Sequence, residues 1–163
     1  MPEFWRKELW HPLLVHFPIA LLLVATFFLL IHFFCKGEYK KLFLNSAFIV
    51  LILGVIGAWI GVYTGDIADG IVSRKICDPT VLKDHEIAAQ TTTYLFTAAA
   101  IFHMLLFFNV LKARLKQISP FVIFALMIIA TVYLIRAGHS GASVVYQQGG
   151  GVYNHTVDCD EYK

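Results

Sequence analysis

The sequence predicts an all-α membrane protein, with one domain over residues 1–163 and four transmembrane helices in an up-down bundle with both termini outside. Hydrophobic residues make up 58% of the chain and the mean hydropathy is +0.69, whereas soluble domains are roughly 45–50% apolar. Four windows without Asp, Glu, Lys or Arg are long enough to cross a hydrocarbon core of ~30 Å. They predict helices over about 12–34, 42–64, 87–111 and 120–137.

Local signals support the ends of these helices. The first helix begins at Pro12, where the missing backbone N–H costs nothing in a first turn. Its apolar run is longer than a signal-peptide core and no small-residue cleavage site follows, so we expect it to remain as a helix. The fourth helix is predicted to begin with Ser119 as N-cap and Pro120 as first residue, and to end at Gly138.

The second predicted helix carries a glycine seam on one face. Such a seam allows close packing of a neighbouring helix, and it also allows a flat macrocycle to approach the backbone. Helix packing is the commoner use of such a stripe. The seam consists of Gly54, Gly57, Gly61 and Gly65.

Charge predicts the orientation. Two short connections between helices carry six basic residues against one acid, whereas the rest of the chain carries seven basic and ten acidic residues. Because short basic loops stay in the cytoplasm, we expect both termini, a loop over residues 65–86 and a tail over residues 138–163 to face the periplasm of a bacterial inner membrane. The charged residues of the two short connections are Lys36, Glu38, Lys40, Lys41, Lys112, Arg114 and Lys116.

The cysteines agree with this orientation. Cys77 and Cys159 both fall in outer segments, where an oxidising compartment allows two thiols to pair. Cys35 falls at the inner membrane surface. We therefore predict a disulfide between Cys77 and Cys159 and a free thiol at Cys35.

Four histidines converge on the outer end of such a bundle. His11 and His16 open the first helix, His85 precedes the third, and His139 follows the fourth. Ionisable groups in membrane segments are functional by default. Two imidazoles from different helices beside an apolar slot are what a b-type haem needs. We expect His16 to be one ligand, with His85 or His139 opposite it and His11 at the rim.

Other residues complete this candidate haem site. Arg136 and Arg6 offer cations for the haem carboxylates, and Gly61 and Gly65 allow the macrocycle to approach the second helix. His32 and His103 lie toward the inner side. His32 does not share a helix face with His16, so we do not expect a second haem.

Two alternatives remain for the histidine cluster. Imidazole nitrogens also suit copper or zinc, which predicts a metal-handling protein with His11, His16, His85 and His139 as ligands. The cluster can also be a hydrogen-bonded plug without a cofactor, which predicts a non-catalytic accessory or assembly subunit of a larger membrane complex.

The sequence lacks the motifs of several common activities. The chain has no CxxCH, CxxC, GxSxG or HExxH motif and no phosphate-binding glycine loop. Its basic residues lie in the short loops, so nucleic-acid binding has no support. Whether the protein is an enzyme is open, and an electron carrier or accessory subunit is favoured over a self-contained enzyme.

Four stretches resemble the DUF2231 family of bacterial four-helix membrane proteins, and the resemblance covers almost the whole chain. They are HPLLVHFPIA at His11–Ala20, GVYTGDIAD at Gly61–Asp69, the histidine His85, and GHSGASVVYQQGGGV at Gly138–Val152. Some members of the family are fused to Rieske-type or cytochrome c-like domains, which implies a redox setting. The family pattern falls on His11, Pro12, His16, Pro18, Thr64, Gly65, Asp69, His85, His139, Gly141, Tyr146 and Gly151.

The leading hypothesis is a small b-type cytochrome that passes single electrons at the periplasmic face, as part of a respiratory chain or beside it. Its partners would be the lipid bilayer and either a redox protein or a quinone. A quinone headgroup can also accept a hydrogen bond from an intramembrane histidine, and the sequence does not distinguish this from ligation of a metal.

Overall fold

The computed structural model describes residues 5–152, and residues 1–4 and 153–163 lie outside this range. After a short 3-10 turn at Lys7–Leu9, the chain forms four helices. They are α1 (Trp10–Phe34), α2 (Gly37–Val72), α3 (Pro79–Phe107) and α4 (Ala113–Tyr146). The predicted all-helical class with four helices is confirmed.

Three of these helices are long and apolar enough to cross a membrane. The candidate spans are Lys7–Phe34, Gly37–Val72 and Ala113–Tyr146. Within the described residues, α3 is not among them. Its first turns carry Lys83, Asp84 and Glu86, and the uncharged part that follows still contains Gln90, three threonines at 91–93 and His103, which lower its hydropathy.

The connection between α2 and α3 is much shorter than the sequence predicts. A loop over residues 65–86 is expected, but only residues 73–78 separate the two helices. Asp78 is the N-cap of α3 and Pro79 is its first residue, and the Asp78 carboxylate accepts from Thr80 N at 2.9 Å. The side-chain and backbone hydrogen bonds from Thr80 also lower the pKa of Asp78. At the other end, Ala68 and Val72 are buried, which continues α2 beyond Thr64.

Helix α4 is longer at both ends than the predicted range of 120–137. Pro120 lies inside it, and Ser119 donates its hydroxyl to Leu115 O at 2.6 Å within the helix and does not cap it. The helix continues past Gly138 because Ala137 and Val144 are buried on the same helix, and this packing outweighs the modest cost of a helical glycine. The predicted tail is therefore helical as far as Tyr146.

The glycine seam of α2 packs against α1. A Cβ atom built on Gly54 would lie 2.8 Å from Leu22 Cδ2, and one on Gly57 would lie 3.1 Å from Pro18 Cβ. Val15 and then His11 face the next two glycines of the seam. Helix packing thus accounts for the seam, and its register brings the start of α1 beside the second half of α2.

The other contacts define the two ends of the bundle. Helix α1 packs mainly on α2, and α4 packs mainly on α3. At one end, the His11 and His85 rings meet, and at the other Phe33 stacks on Phe121 with ring centroids 4.8 Å apart. Fully buried side chains between the ends form the core, among them Leu22, Leu29, Leu51, Phe96, Ile123 and Met127.

The cysteines lie at different ends of the bundle. Cys35 is a free thiol immediately after α1. Cys77 is in a disulfide, and its predicted partner, Cys159, lies outside the described residues.

The close packing of the glycine seam on α1 leads to a prediction about stability. Replacing Gly54 by alanine puts a methyl group 2.8 Å from Leu22 Cδ2 and 3.3 Å from Leu22 N, and we expect it to destabilise the protein by about 1–3 kcal/mol. Gly70 is the matched control on the same helix, because its Cβ would meet nothing within 4 Å. Gly70→Ala should raise stability by about 0.5–1 kcal/mol. Thermal unfolding in detergent measures both, and equal shifts would contradict the packing.

Candidate functional site

His11 is held against α2 at one end of the bundle. Its Nδ1 lies 2.9 Å from Gly61 O, and its ring packs on Gly65, where a Cβ would be 3.2 Å from Cε1. A carbonyl oxygen only accepts, so Nδ1 carries the proton and the Nε2 of the neutral ring is left as an acceptor. The hydroxyl of Thr64 also donates to Gly61 O, at 3.1 Å.

His85 is held against α4 in the same way. Its Nδ1 lies 2.9 Å from Ala137 O, and its ring packs on Gly141, where a Cβ would be 2.9 Å from Cε1. In both cases the carbonyl belongs to the residue four positions before the glycine. Each ring therefore lies along one turn of the helix that it packs against, which is α2 for His11 and α4 for His85. The Nε2 of His85 is again an acceptor.

The two imidazoles contact each other. Their ring centroids are 5.9 Å apart and their planes are inclined by 77°. One ring comes from the α1–α2 pair and the other from the α3–α4 pair, so this contact joins the two halves of the bundle. The arrangement offers two imidazole nitrogens whose ring orientations are fixed by backbone carbonyls, as is usual for metal-binding histidines.

A cavity of about 520 Å³ lies beside this histidine pair. All four helices line it, mostly with apolar and small side chains, and its size is within the usual range for ligand sites. The polar side chains that line it are His11, His16, Asp66, Asp69, His85, Glu86, Gln90, Thr92, Thr93 and Tyr146, together with Glu8 at one end.

Glu8 anchors a charged cluster at that end of the cavity. It is 8% exposed, and its Oε1 accepts from Arg6 Nη2 at 2.9 Å and lies 3.8 Å from Lys75 Nζ. Two cations therefore share one buried carboxylate. The cluster carries a net positive charge next to a cavity that has no lysine or arginine in its own described lining.

Residues 147–152, which we name the strap, close the same end. Asp78 N donates to Gln148 Oε1 at 3.0 Å, and Arg6 Nη2 donates to Gly151 O at 3.3 Å. Gly150 packs closely on Val144, and Gly150, Gly151 and Val152 line the cavity. The described part of the tail thus folds over the histidine site.

The strap can be displaced by a single methyl group. A Cβ on Gly150 would lie 2.7 Å from Val144 Cγ1 and 2.8 Å from Val144 O, so we expect Gly150→Ala to lift the strap at a cost of about 1–3 kcal/mol. Chymotrypsin cleavage after Tyr146, followed by mass spectrometry, should become severalfold faster than in Gly138→Ala, whose Cβ meets nothing within 4 Å. Equal cleavage rates would contradict the role of Gly150.

The other predicted site residues lie apart from the histidine pair. His16 lines the cavity but is exposed on α1. His139 is exposed on α4 and does not line the described cavity. Arg136 is also exposed, and its guanidinium lies 5.6 Å from the centre of the Tyr133 ring. The structure therefore brings together His11, His85, Gly61 and Gly65, and it leaves His16, His139 and Arg136 outside this group.

Two further histidines are buried at the opposite end. His32, which is on the inner side in the sequence prediction, donates from Nδ1 to Lys40 O at 2.8 Å. His103 is 1% exposed, and its Nδ1 has no hydrogen-bond partner among residues 5–152. Phe48 packs on His103 with ring centroids 5.2 Å apart.

Sequence reasoning proposed Arg6 as a cation for the site but missed its pairing with Glu8, the part of Lys75 in that cluster, and the role of Gly141 beneath His85. An acidic residue directly before a long apolar run was the available signal for Glu8. The spacing of four residues from Ala137 to Gly141 could not identify the second histidine platform without knowledge of the packing between α3 and α4.

The fold and this site define a small helical membrane protein with a pair of oriented imidazoles at one end of its bundle. The sequence matches the profile of DUF2231, described as a predicted membrane protein, over residues 9–154. The chain therefore belongs to the DUF2231 family. No curated protein and no solved structure matches it.

Proposed function

We propose that the protein binds b-type haem through His11 and His85 and carries single electrons in the membrane. The observation that supports this most is the pair itself, with two imidazoles from different helices in contact and each Nδ1 proton held by a backbone carbonyl. This leaves an Nε2 lone pair on each ring for an iron ligand. His11 thus replaces His16 as the preferred ligand on α1, because His16 is exposed and no carbonyl orients its ring.

The donor set favours haem over a free metal ion. A porphyrin supplies four nitrogens of its own, so iron in a b-type haem needs only two protein ligands. Zinc and copper sites in proteins use three or four. Among the described residues, no group of three His, Cys, Asp or Glu side chains is close enough to hold an ion, so the copper or zinc alternative has less support.

The spacing of the two imidazoles and the charges near the cavity also suit a haem. The ring centroids of His11 and His85 are 5.9 Å apart, so both imidazoles would be near enough to hold one haem iron. The carboxylates of a haem need cations, and Arg6 and Lys75 lie beside Glu8 at the end of the cavity. None of Arg6, Lys75 and Arg136 belongs to the described lining of the cavity. Arg6 is the preferred cation because it donates to the carbonyl of Gly151, which does line the cavity.

Haem supplies one-electron chemistry, and the chain's own residues tune it. His11 and His85 would hold the iron, while Gly61 O and Ala137 O fix the tautomers of the two rings and would make them better electron donors. The strap covers one end of the site.

The proposed setting is the inner membrane of a bacterium. In it, α3 is the fourth crossing of an up-down bundle, and the histidine pair and both termini face the periplasm, as the basic short loops favour. Electrons would pass between a membrane donor and a separate redox protein. The competing function is that of an accessory or assembly subunit in which the same histidines only hydrogen-bond to the helices.

A reduced-minus-oxidised visible spectrum tests the proposal. Protein purified in detergent from haem-replete cells should show sharp Soret and α bands and contain one haem per chain. A colourless preparation that also fails to take up added haemin would overturn the proposal and favour the accessory-subunit alternative.

A further inference from the structure

His16 occupies an unusual position for an imidazole. It lies within the candidate span Lys7–Phe34 and is exposed on the surface of α1, about 7.5 Å along the helix from His11. Its ring has no hydrogen-bond partner among the described residues. A polar group without a partner in a membrane segment is costly and points to a function.

The cavity beside the histidine pair reaches this surface. Its lining includes His16 on α1 and Gly138 and Ala142 on α4, and all three are exposed. A Cβ on Gly138 would meet nothing within 4 Å. Because α1 packs mainly on α2 and α4 mainly on α3, the junction between α1 and α4 is loosely filled. We name the gap between His16, Gly138 and Ala142 the lateral opening.

The polar groups of the cavity select the chemistry of a ligand. They include carboxylates on Asp66, Asp69 and Glu86, whereas no lysine or arginine belongs to the described lining. A neutral molecule that is soluble in the bilayer and donates hydrogen bonds is favoured, because the imidazoles and carboxylates accept them.

We propose that the lateral opening binds the headgroup of a membrane quinol, with the His16 imidazole accepting a hydrogen bond from a ring hydroxyl. A quinol is neutral, carries two hydroxyl donors on an apolar ring, and reaches the opening from the bilayer along its isoprenoid tail. The choice of a redox-active lipid rests on the proposed function, which it deepens by naming the class of molecule that meets the histidine site from the membrane. The proposal concerns binding, and His11 and His85 are not part of the quinol contact.

Calorimetric titration of the purified protein in detergent with decylubiquinol tests this proposal. We expect saturable binding with one site per chain. His16→Ala should weaken it about tenfold, the value of one hydrogen bond of about 1.4 kcal/mol, and Gly138→Leu should abolish it by filling the opening. The dimethyl ether of the same quinol, which has no hydroxyl donor, should bind the unmodified protein no better than the quinol binds His16→Ala.

His139→Ala is the matched control, because His139 is exposed next to Gly138 but does not line the described cavity. It should bind the quinol as the unmodified protein does. Titration that never saturates, or equal affinities of the unmodified protein, His16→Ala and Gly138→Leu, would overturn the inference.

The haem content of each sample separates the two proposals. Saturable quinol binding to a protein that contains no haem and takes up no added haemin would overturn the proposed haem function and leave the quinol site. A haem-loaded protein that does not bind the quinol would overturn the quinol site and leave the proposed haem function. His16→Ala should keep its full haem content.

Discussion

Replacement of His85 by alanine is expected to abolish the haem spectrum of the protein. The ring of His85 provides one of the two imidazoles in contact at the end of the bundle, and its loss leaves iron with a single protein ligand. We expect the affinity for haem to fall by more than about 100-fold, because even residues that only orient metal ligands are worth 10–100-fold. Haem titration followed in the Soret band measures the loss, and His11→Ala should behave alike.

His139→Ala and His16→Ala are the controls for this prediction. Both residues are exposed, and both variants should retain the full Soret band. The ligand assignment would fail if His16→Ala lost the haem while His11→Ala kept it. Insertion and folding of each variant can be checked from its yield in the membrane fraction and from its helical circular dichroism.

Gly141→Ala is expected to weaken haem binding about 10–100-fold without removing any ligand. The added Cβ would lie 2.9 Å from His85 Cε1 and 3.1 Å from its Nδ1, so the ring must move away from α4. This movement breaks the 2.9 Å hydrogen bond from Nδ1 to Ala137 O. The bond orients the imidazole, and loss of such a bond typically costs 10–100-fold in metal affinity.

Gly138→Ala is the control for Gly141→Ala. It tests whether the loss of haem affinity requires a methyl group beneath His85, or follows from any glycine-to-alanine change in α4. Gly138 lies one helical turn before Gly141 on α4, and its Cβ would meet nothing within 4 Å. This variant should bind haem with unchanged affinity, as measured by the same Soret titration. A similar loss in both variants would indicate a general disturbance of α4 and would contradict the proposed platform beneath His85.

The choice between His11 and His16 shows what the sequence could not decide. The two residues flank the same apolar run and lie about 140° apart around an α-helix, so only one can face α2. The glycine seam was visible, but which residue of α1 meets Gly65 depends on the register between two helices. That register is set by the fit of Leu22 and Pro18 onto Gly54 and Gly57.

The helix ends show a different kind of limit. Asp78 and Pro79 form a common helix start, in which a carboxylate N-cap is followed by proline. The same pair is also common in turns, so the sequence alone does not decide between the two. Gly138 suits a helix end equally well. Burial of Ala137 and Val144 continues the helix there, and burial depends on contacts that a single sequence does not show.

The most direct test of the central claim is the identity of both axial ligands of the iron. Electron paramagnetic resonance and near-infrared magnetic circular dichroism of the oxidised protein distinguish bis-imidazole haem from other ligand sets. The account predicts low-spin ferric iron with two imidazole ligands, and loss of this signature in both His11→Ala and His85→Ala. High-spin iron, or an unchanged bis-imidazole signature in either variant, would contradict it.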